Sequence, residues 1–193
     1  MALTRINNHA LTNVTSDGLP TLAASNMPRG SVLQVVQNTI GTTDSGSIGA
    51  GTNIFQDCGL QANIIPSNTS SEILINYQIF LGSSSIGYNI KSRIVRDSTP
   101  IGLGTQVGTR GVASATTNTY INYSSQATYH LHQQGISFLD EPATTSQITY
   151  KIQVSAYQGQ TWYLNRSEGF QDGGTQGYDS VPLSTITLME IAG

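Results

Sequence analysis

Apolar residues recur at every second position along much of this chain, and no window shows convincing helical spacing. Glu72–Leu81 (EILINYQIFL) is the clearest case. Ile73, Ile75, Tyr77, Ile79 and Leu81 share one face, with Asn76 and Gln78 opposite. Ile148–Tyr157 repeats the pattern: Ile148, Tyr150, Ile152, Val154 and Ala156 point one way, and Thr149, Lys151, Gln153 and Ser155 the other. Ser31–Gln37 is the first strand expected after a non-periodic start, and Ser184–Ile191 the last. Between them Ile54–Leu60 reads as a return toward the core, and strands are expected at Tyr88–Val95, Pro100–Leu103, Tyr120–Tyr123, Ala127–His132, Ile136–Leu139 and Thr161–Asn165. Arg96-Asp97-Ser98-Thr99 reads as a hairpin turn. Residues 38–53 and Gly169–Asp179 read as long loops rich in small and polar residues.

Many short strands, no helix and no fixed-period repeat imply an all-β sandwich of jelly-roll or Greek-key type. Residues 1–30 contain Leu3, Ile6, Leu11, Val14, Leu19 and Leu22 without a period, and end at Met27-Pro28-Arg29-Gly30. They read as an extended N-terminal arm or docking segment, with the sandwich domain over residues 31–193.

Composition narrows the function. Only 10% of the 193 residues are charged, well below the usual ~25%. Ser, Thr, Asn, Gln and Gly take their place, a surface that loses little when it meets another chain. The net charge is −3, and no run of basic residues offers a phosphate-binding patch, so nucleic acid is not an expected partner. Lys91, Arg93 and Arg96 come closest; Lys91 and Arg93 share a strand face and Arg96 falls on the other. Cys58 is the only cysteine, which fits a reducing cytoplasm and reads as a small buried filler. Residues 1–13 lack the apolar run of a secretory signal, and no stretch approaches the ~18 apolar residues of a membrane span.

No nucleophile elbow, zinc-protease helix or phosphate loop is present, so the expected role is not enzymatic. Two constellations stand out. His130 and His132 would share one face of a strand, where two imidazoles can converge on a metal; two solvated side chains are the plainer reading. Trp162, Phe170, Asp172 and Tyr178 surround the glycine-rich loop with the aromatic faces and carboxylates that a receptor or glycan contact needs. Core packing of Trp162 is the plainer reading there.

Three stretches carry a resemblance. Phe55-x-Asp57-x-Gly59-Leu60 runs on to Ile65-Pro66-Ser67-Asn68-Thr69-Ser70-Ser71-Glu72. Phe138-Leu139-Asp140-Glu141-Pro142 leads into Ile148-Thr149-Tyr150-Lys151, and Tyr163-Leu164-Asn165-Arg166-Ser167 leads to Ser184–Ile191. Together they resemble a family of phage virion proteins of marine and cyanobacterial phages, similar to tail-fibre C-terminal domains. The resemblance implies a trimeric knob like those of the tumour-necrosis-factor type, made in the host cytoplasm and carried on the virion. It also implies that residues 1–30 attach to another virion protein, and that the partner outside is a host-surface glycan or protein. A capsid decoration protein is the alternative, and a carbohydrate-active tailspike a third. In a trimer, His130 and His132 from three copies would offer six nitrogens around the axis, an octahedral metal site. Asp140 is expected to cap its turn by accepting backbone N–H groups.

Overall fold

The computed structural model describes residues 27–49, 51, 53–84, 88–118, 129–157, 159–170, 177 and 179–193. They form twelve strands: β1 (Val32–Ile40), β2 (Asp44–Ser47), β3 (Gln56–Ile64), β4 (Glu72–Ser83), β5 (Asn89–Arg96), β6 (Thr99–Ile101), β7 (Ala115–Asn118), β8 (His132–Gln134), β9 (Ser137–Asp140), β10 (Ile148–Ala156), β11 (Thr161–Leu164) and β12 (Ser184–Ile191). All pairings are antiparallel. The larger sheet has the order β1-β12-β4-β11-β2, with β8 and β9 paired to the other edge of β4, and the smaller has the order β3-β10-β5-β6, with β7 also paired to β5. Consecutive strands repeatedly change sheet, as in a jelly-roll or Greek-key sandwich. No helix among the described residues is long and apolar enough to cross a membrane.

The core lies between the inner faces, where the alternation put it. From β4 come Ile73, Ile75, Tyr77, Ile79 and Leu81, and from β10 Ile148, Tyr150, Ile152, Val154 and Ala156, all at most 2% exposed. Each large apolar side chain taken from water contributes roughly 1.5–3 kcal/mol, so these two faces dominate the favourable term. Polar residues at inner positions are satisfied by one another. The Tyr77 hydroxyl and Ser92 Oγ lie 2.8 Å apart, and Ser92 Oγ donates to Gln134 Oε1 at 2.7 Å.

The strand expectations hold for β1, β4, β5, β10, β11 and β12, with shifts of a few residues at their ends. Three need correction. Residues 38–53 are not all loop: Asp44–Ser47 pairs with β11, and Gly46 faces Trp162 so closely that an added Cβ would lie 2.7 Å from the indole. Ala115–Asn118 forms a strand without any apolar alternation, held by the edge of β5. His130 lies ahead of β8 rather than in a strand, because the ladder to β4 begins at His132. The segment Tyr120–Tyr123 lies outside the described residues, as do residues 1–26 of the expected arm. What is described of the arm is already joined to the sandwich: Gly30 N–H donates to the carbonyl of Ala192 at 2.7 Å.

Two buried polar groups tie the ends of the domain. Glu190 is fully buried and accepts from Ser67 N at 2.7 Å, Ser67 Oγ at 2.6 Å, Ser71 Oγ at 2.7 Å and Gln34 Nε2 at 2.6 Å. It joins β1, β12 and the Ile65–Ser71 corner. Asn165, with φ of 54°, donates to the carbonyls of Ile40 and Thr42 and accepts from Ser184 Oγ at 2.6 Å. Asp140 does not cap a turn: it accepts from Arg96 Nη1 at 2.9 Å and from the Tyr150 hydroxyl at 2.6 Å. The cation and hydroxyl reach it across the core because β9 ends at the sheet edge.

Burial raises the Glu190 carboxyl, but the hydrogen bonds from Ser67, Ser71 and Gln34 outweigh it and hold the group below its ordinary 4.5. The unfolded chain therefore takes up a proton first on acidification. The contribution of Glu190 is complete above 4.5 and is lost as pH falls through the lower folded value. Glu190→Gln should flatten the loss of stability below that point in urea unfolding. Glu190→Ala, which strands four donors, should cost about 2–4 kcal/mol at neutral pH.

Candidate functional site

The outer face of the smaller sheet carries a cleft of about 610 Å³, within the ~300–1,000 Å³ of sites that take small ligands. Its position follows from strand register. Ala156 pairs with Ile90, so Tyr157, just after β10, and Tyr88, just before β5, arrive side by side. Their rings stack with centroids 4.1 Å apart and planes 16° from parallel. Tyr88 remains 48% exposed, which leaves an aromatic wall open to solvent. Asn89 of β5 pairs with Asn118 of β7, and both line the cleft. Arg110 reaches it from the loop between β6 and β7. That loop is held by Gly104 N–H on the Ala113 carbonyl at 3.2 Å and by Val112 N–H on Asn53 Oδ1 at 3.2 Å.

Lys91 lies at the floor, only 5% exposed, and also lines an adjoining hollow of about 230 Å³. Lys91 and Arg93 alternate with the buried Ile90, Ser92 and Ile94 and so face outward together, the shared face expected from their spacing. Both sit against Phe55. The Lys91 Nζ is 5.4 Å and the Arg93 guanidinium 4.1 Å from its ring centroid, the geometry of cation–π contact. Arg93 donates twice to Gln153 Oε1, at 2.9 and 2.7 Å. Gln153 Nε2 donates in turn to Asp57 Oδ1 at 2.6 Å, and Lys151 Nζ holds the other oxygen at 2.8 Å. Burial raises the Asp57 carboxyl, but the bonds and charges of Lys151, Gln153 and Arg93 outweigh it and lower it overall. Burial and the neighbouring Arg93 charge both lower Lys91, so its positive form is held at some cost.

The aromatic wall, amide side chains and two cations are groups that can bind a ligand. An apolar ring face can lie on tyrosine while amides and cations meet its polar edge. The sequence pattern did not single out Tyr88, Tyr157, Asn89, Asn118 or Arg110. They come from strand ends and a loop, and the only signal was the same-face pair Lys91 and Arg93.

The residues that the sequence did single out fall elsewhere. Trp162 is 2% exposed in the core, and its indole N–H donates to Gln56 Oε1 at 2.9 Å, so it offers no face to a surface glycan. Phe170 is half-buried, and Asp172 and Tyr178 lie outside the described residues. His130 and His132 are brought together, with ring centroids 6.2 Å apart and planes 24° from parallel. No group of three or more metal-binding side chains occurs among the described residues. Cys58 is a buried filler as expected: its thiol donates to the Ile152 carbonyl at 3.2 Å, and burial pushes it up to about 12.

No family model and no curated protein matches this chain. Among solved structures, the VP2 subviral particle of infectious bursal disease virus is similar at 11% identity and a TM-score of 0.41, over 84% of this chain and 38% of that one. A structure of the Gx strain of the same virus is similar at 13% identity and a TM-score of 0.41, over 83% and 37%. The chain thus spans about two fifths of the length of these structures.

The His132 Nε2 is buried and has no hydrogen-bond partner among the described residues. Burial, with the charge of His130 adding to it, lowers His132 from its ordinary 6.5. The folded chain then refuses a proton that the unfolded chain accepts. Its contribution to stability is complete above 6.5 and is lost as pH falls through the folded value. A proton NMR titration should show His132 titrating below 6.5. His132→Gln should reduce the stability change between about pH 7 and pH 5; an unchanged profile contradicts the burial.

Proposed function

We propose that this chain is a non-enzymatic structural protein on the outside of a phage virion, a trimeric tail-fibre or receptor-binding knob whose cleft binds a host-surface carbohydrate. The cleft at Tyr88, Lys91, Arg110 and Tyr157 carries the reading. It pairs an exposed aromatic wall with hydrogen-bonding amides on a rigid sheet, and the edges of the site are strand ends. The resemblance of the Phe55–Glu72, Phe138–Lys151 and Tyr163–Ile191 stretches to phage virion proteins supports the location. Gly30 lies beside the end of the C-terminal strand, and residues 1–30 are the segment through which the knob attaches to another virion protein.

A second feature supports assembly from several copies. On the outer face of the larger sheet, Val35 pairs with Met189, Met189 with Leu74, and Leu74 with Leu139, a row of four apolar side chains across four strands. Val35 is 56% and Leu139 46% exposed. The next row, Gln37, Thr187, Asn76 and Ser137, is polar and uncharged, so burying these two rows against another copy strands no charge. The same row favours the alternative, a capsid decoration protein, in which it would lie against the shell.

Light scattering on the purified chain should give three copies per particle. Val35→Lys with Leu139→Lys should shift it to monomer while keeping the far-ultraviolet spectrum; a monomer without substitution contradicts the assembly. Antibody labelling of virions under the electron microscope separates the locations: label at fibre tips supports the knob, and label over the shell supports decoration.

A further inference from the structure

We infer that the cleft prefers acidic carbohydrate, a sugar bearing a carboxylate, sulfate or phosphate, with Lys91 and Arg110 meeting the anion and the Tyr88–Tyr157 pair lying against the sugar ring. The inference rests on the carbohydrate reading above and adds the charge of the ligand. Its basis is where the few charges of this chain lie. The sequence has 8 Lys and Arg against 11 Asp and Glu, yet Lys91, Arg93, Lys151 and Arg110 gather on or beside the outer face of the smaller sheet. The acid in the network beside them is Asp57, which already holds Lys151 and Gln153. No carboxylate lines the cleft or the adjoining hollow among the described residues.

Lys91 is the most telling of these groups. It lies 5% exposed at the boundary of both cavities, two residues from Arg93 on the same face. Two neighbouring cations disfavour each other, and burial weakens the water that would screen them. Both cations attract an anion in the cleft, and neither attracts a neutral sugar in that way. Arg110 adds a planar donor suited to two-point contact with carboxylate or phosphate oxygens. The tyrosine pair sits at the same cleft, so the ligand that uses every lining group has both an apolar ring face and a negative substituent.

The test uses the full chain and a panel of bacterial surface oligosaccharides. Uronic-acid, sulfated and phosphorylated members are each measured beside a neutral parent, with inorganic phosphate as a separate probe. The acidic member of at least one pair should bind about tenfold more tightly than its parent. The advantage should shrink as salt rises from ~0.05 to ~0.5 M. Lys91→Met and Arg110→Gln should each remove most of the preference, whereas Tyr157→Ala should weaken both members of the pair. Should Lys91→Met fail to fold, Arg110→Gln on its loop decides the matter. Equal binding of acidic and neutral members overturns the charge preference and leaves the carbohydrate reading standing. Binding of inorganic phosphate with no sugar bound, or no binding by any probe, overturns both.

Discussion

The twelve residues of β4 must bury one face and pair along both edges, and the sandwich is arranged around that demand. Its inner side chains, Ile73 to Leu81, are sealed only when the sheet of β10 covers them. Along one edge β12 pairs with residues 72–78 and β11 with residues 81–83; along the other, β9 pairs with residues 73–76 and β8 with residues 79–81. A slip of one residue would turn five apolar side chains to solvent and the polar Asn76 and Gln78 inward, so the register of four neighbours is settled at once.

The C-terminal strand completes this arrangement, since β12 lies between β4 and β1. A chain with few charges closes its ends with neutral donors around a single carboxylate, Glu190, and around the amide of Asn165. Hydrogen bonds from Ser67, Ser71 and Gln34 compensate the buried charge without a buried cation. Across the core, Asp140 is paired instead with Arg96 and Tyr150. Such ties join segments far apart in the chain, and the register of β5 on β10 brings Tyr88 and Tyr157 together at the cleft.

The two faces of the sandwich consequently differ. Outward positions of the larger sheet carry an apolar row, with a neutral polar row on one side and the Glu72–Arg29 pair on the other. Outward positions of the smaller sheet carry Lys91, Arg93 and Lys151 together with Asp57 and Phe55. The apolar row and the cleft are thus built on opposite sides of one core.

The strands β4, β10 and β12 were legible in the sequence because a half-buried strand writes its environment into alternate residues, and so was the all-β class. Polar strands were not. Asp44–Ser47 has no apolar alternation and pairs because Gly46 admits the ring of Trp162. Ala115–Asn118 pairs because the edge of β5 needs a partner. The shared face of Lys91 and Arg93 could be read from their spacing, but the cleft above them could not. Its tyrosines, Arg110 and Asn118 belong to separate segments, and no local pattern records which strand ends meet. Trp162 shows the reverse case, an aromatic residue whose chemistry suits a sugar and whose position in β11 sends it into the core. The sequence by itself determined which faces are buried, since burial is decided residue by residue through solvation. Only the tertiary structure decided which distant side chains share a surface, because that depends on strand register and sheet order, which act between segments far apart in the chain.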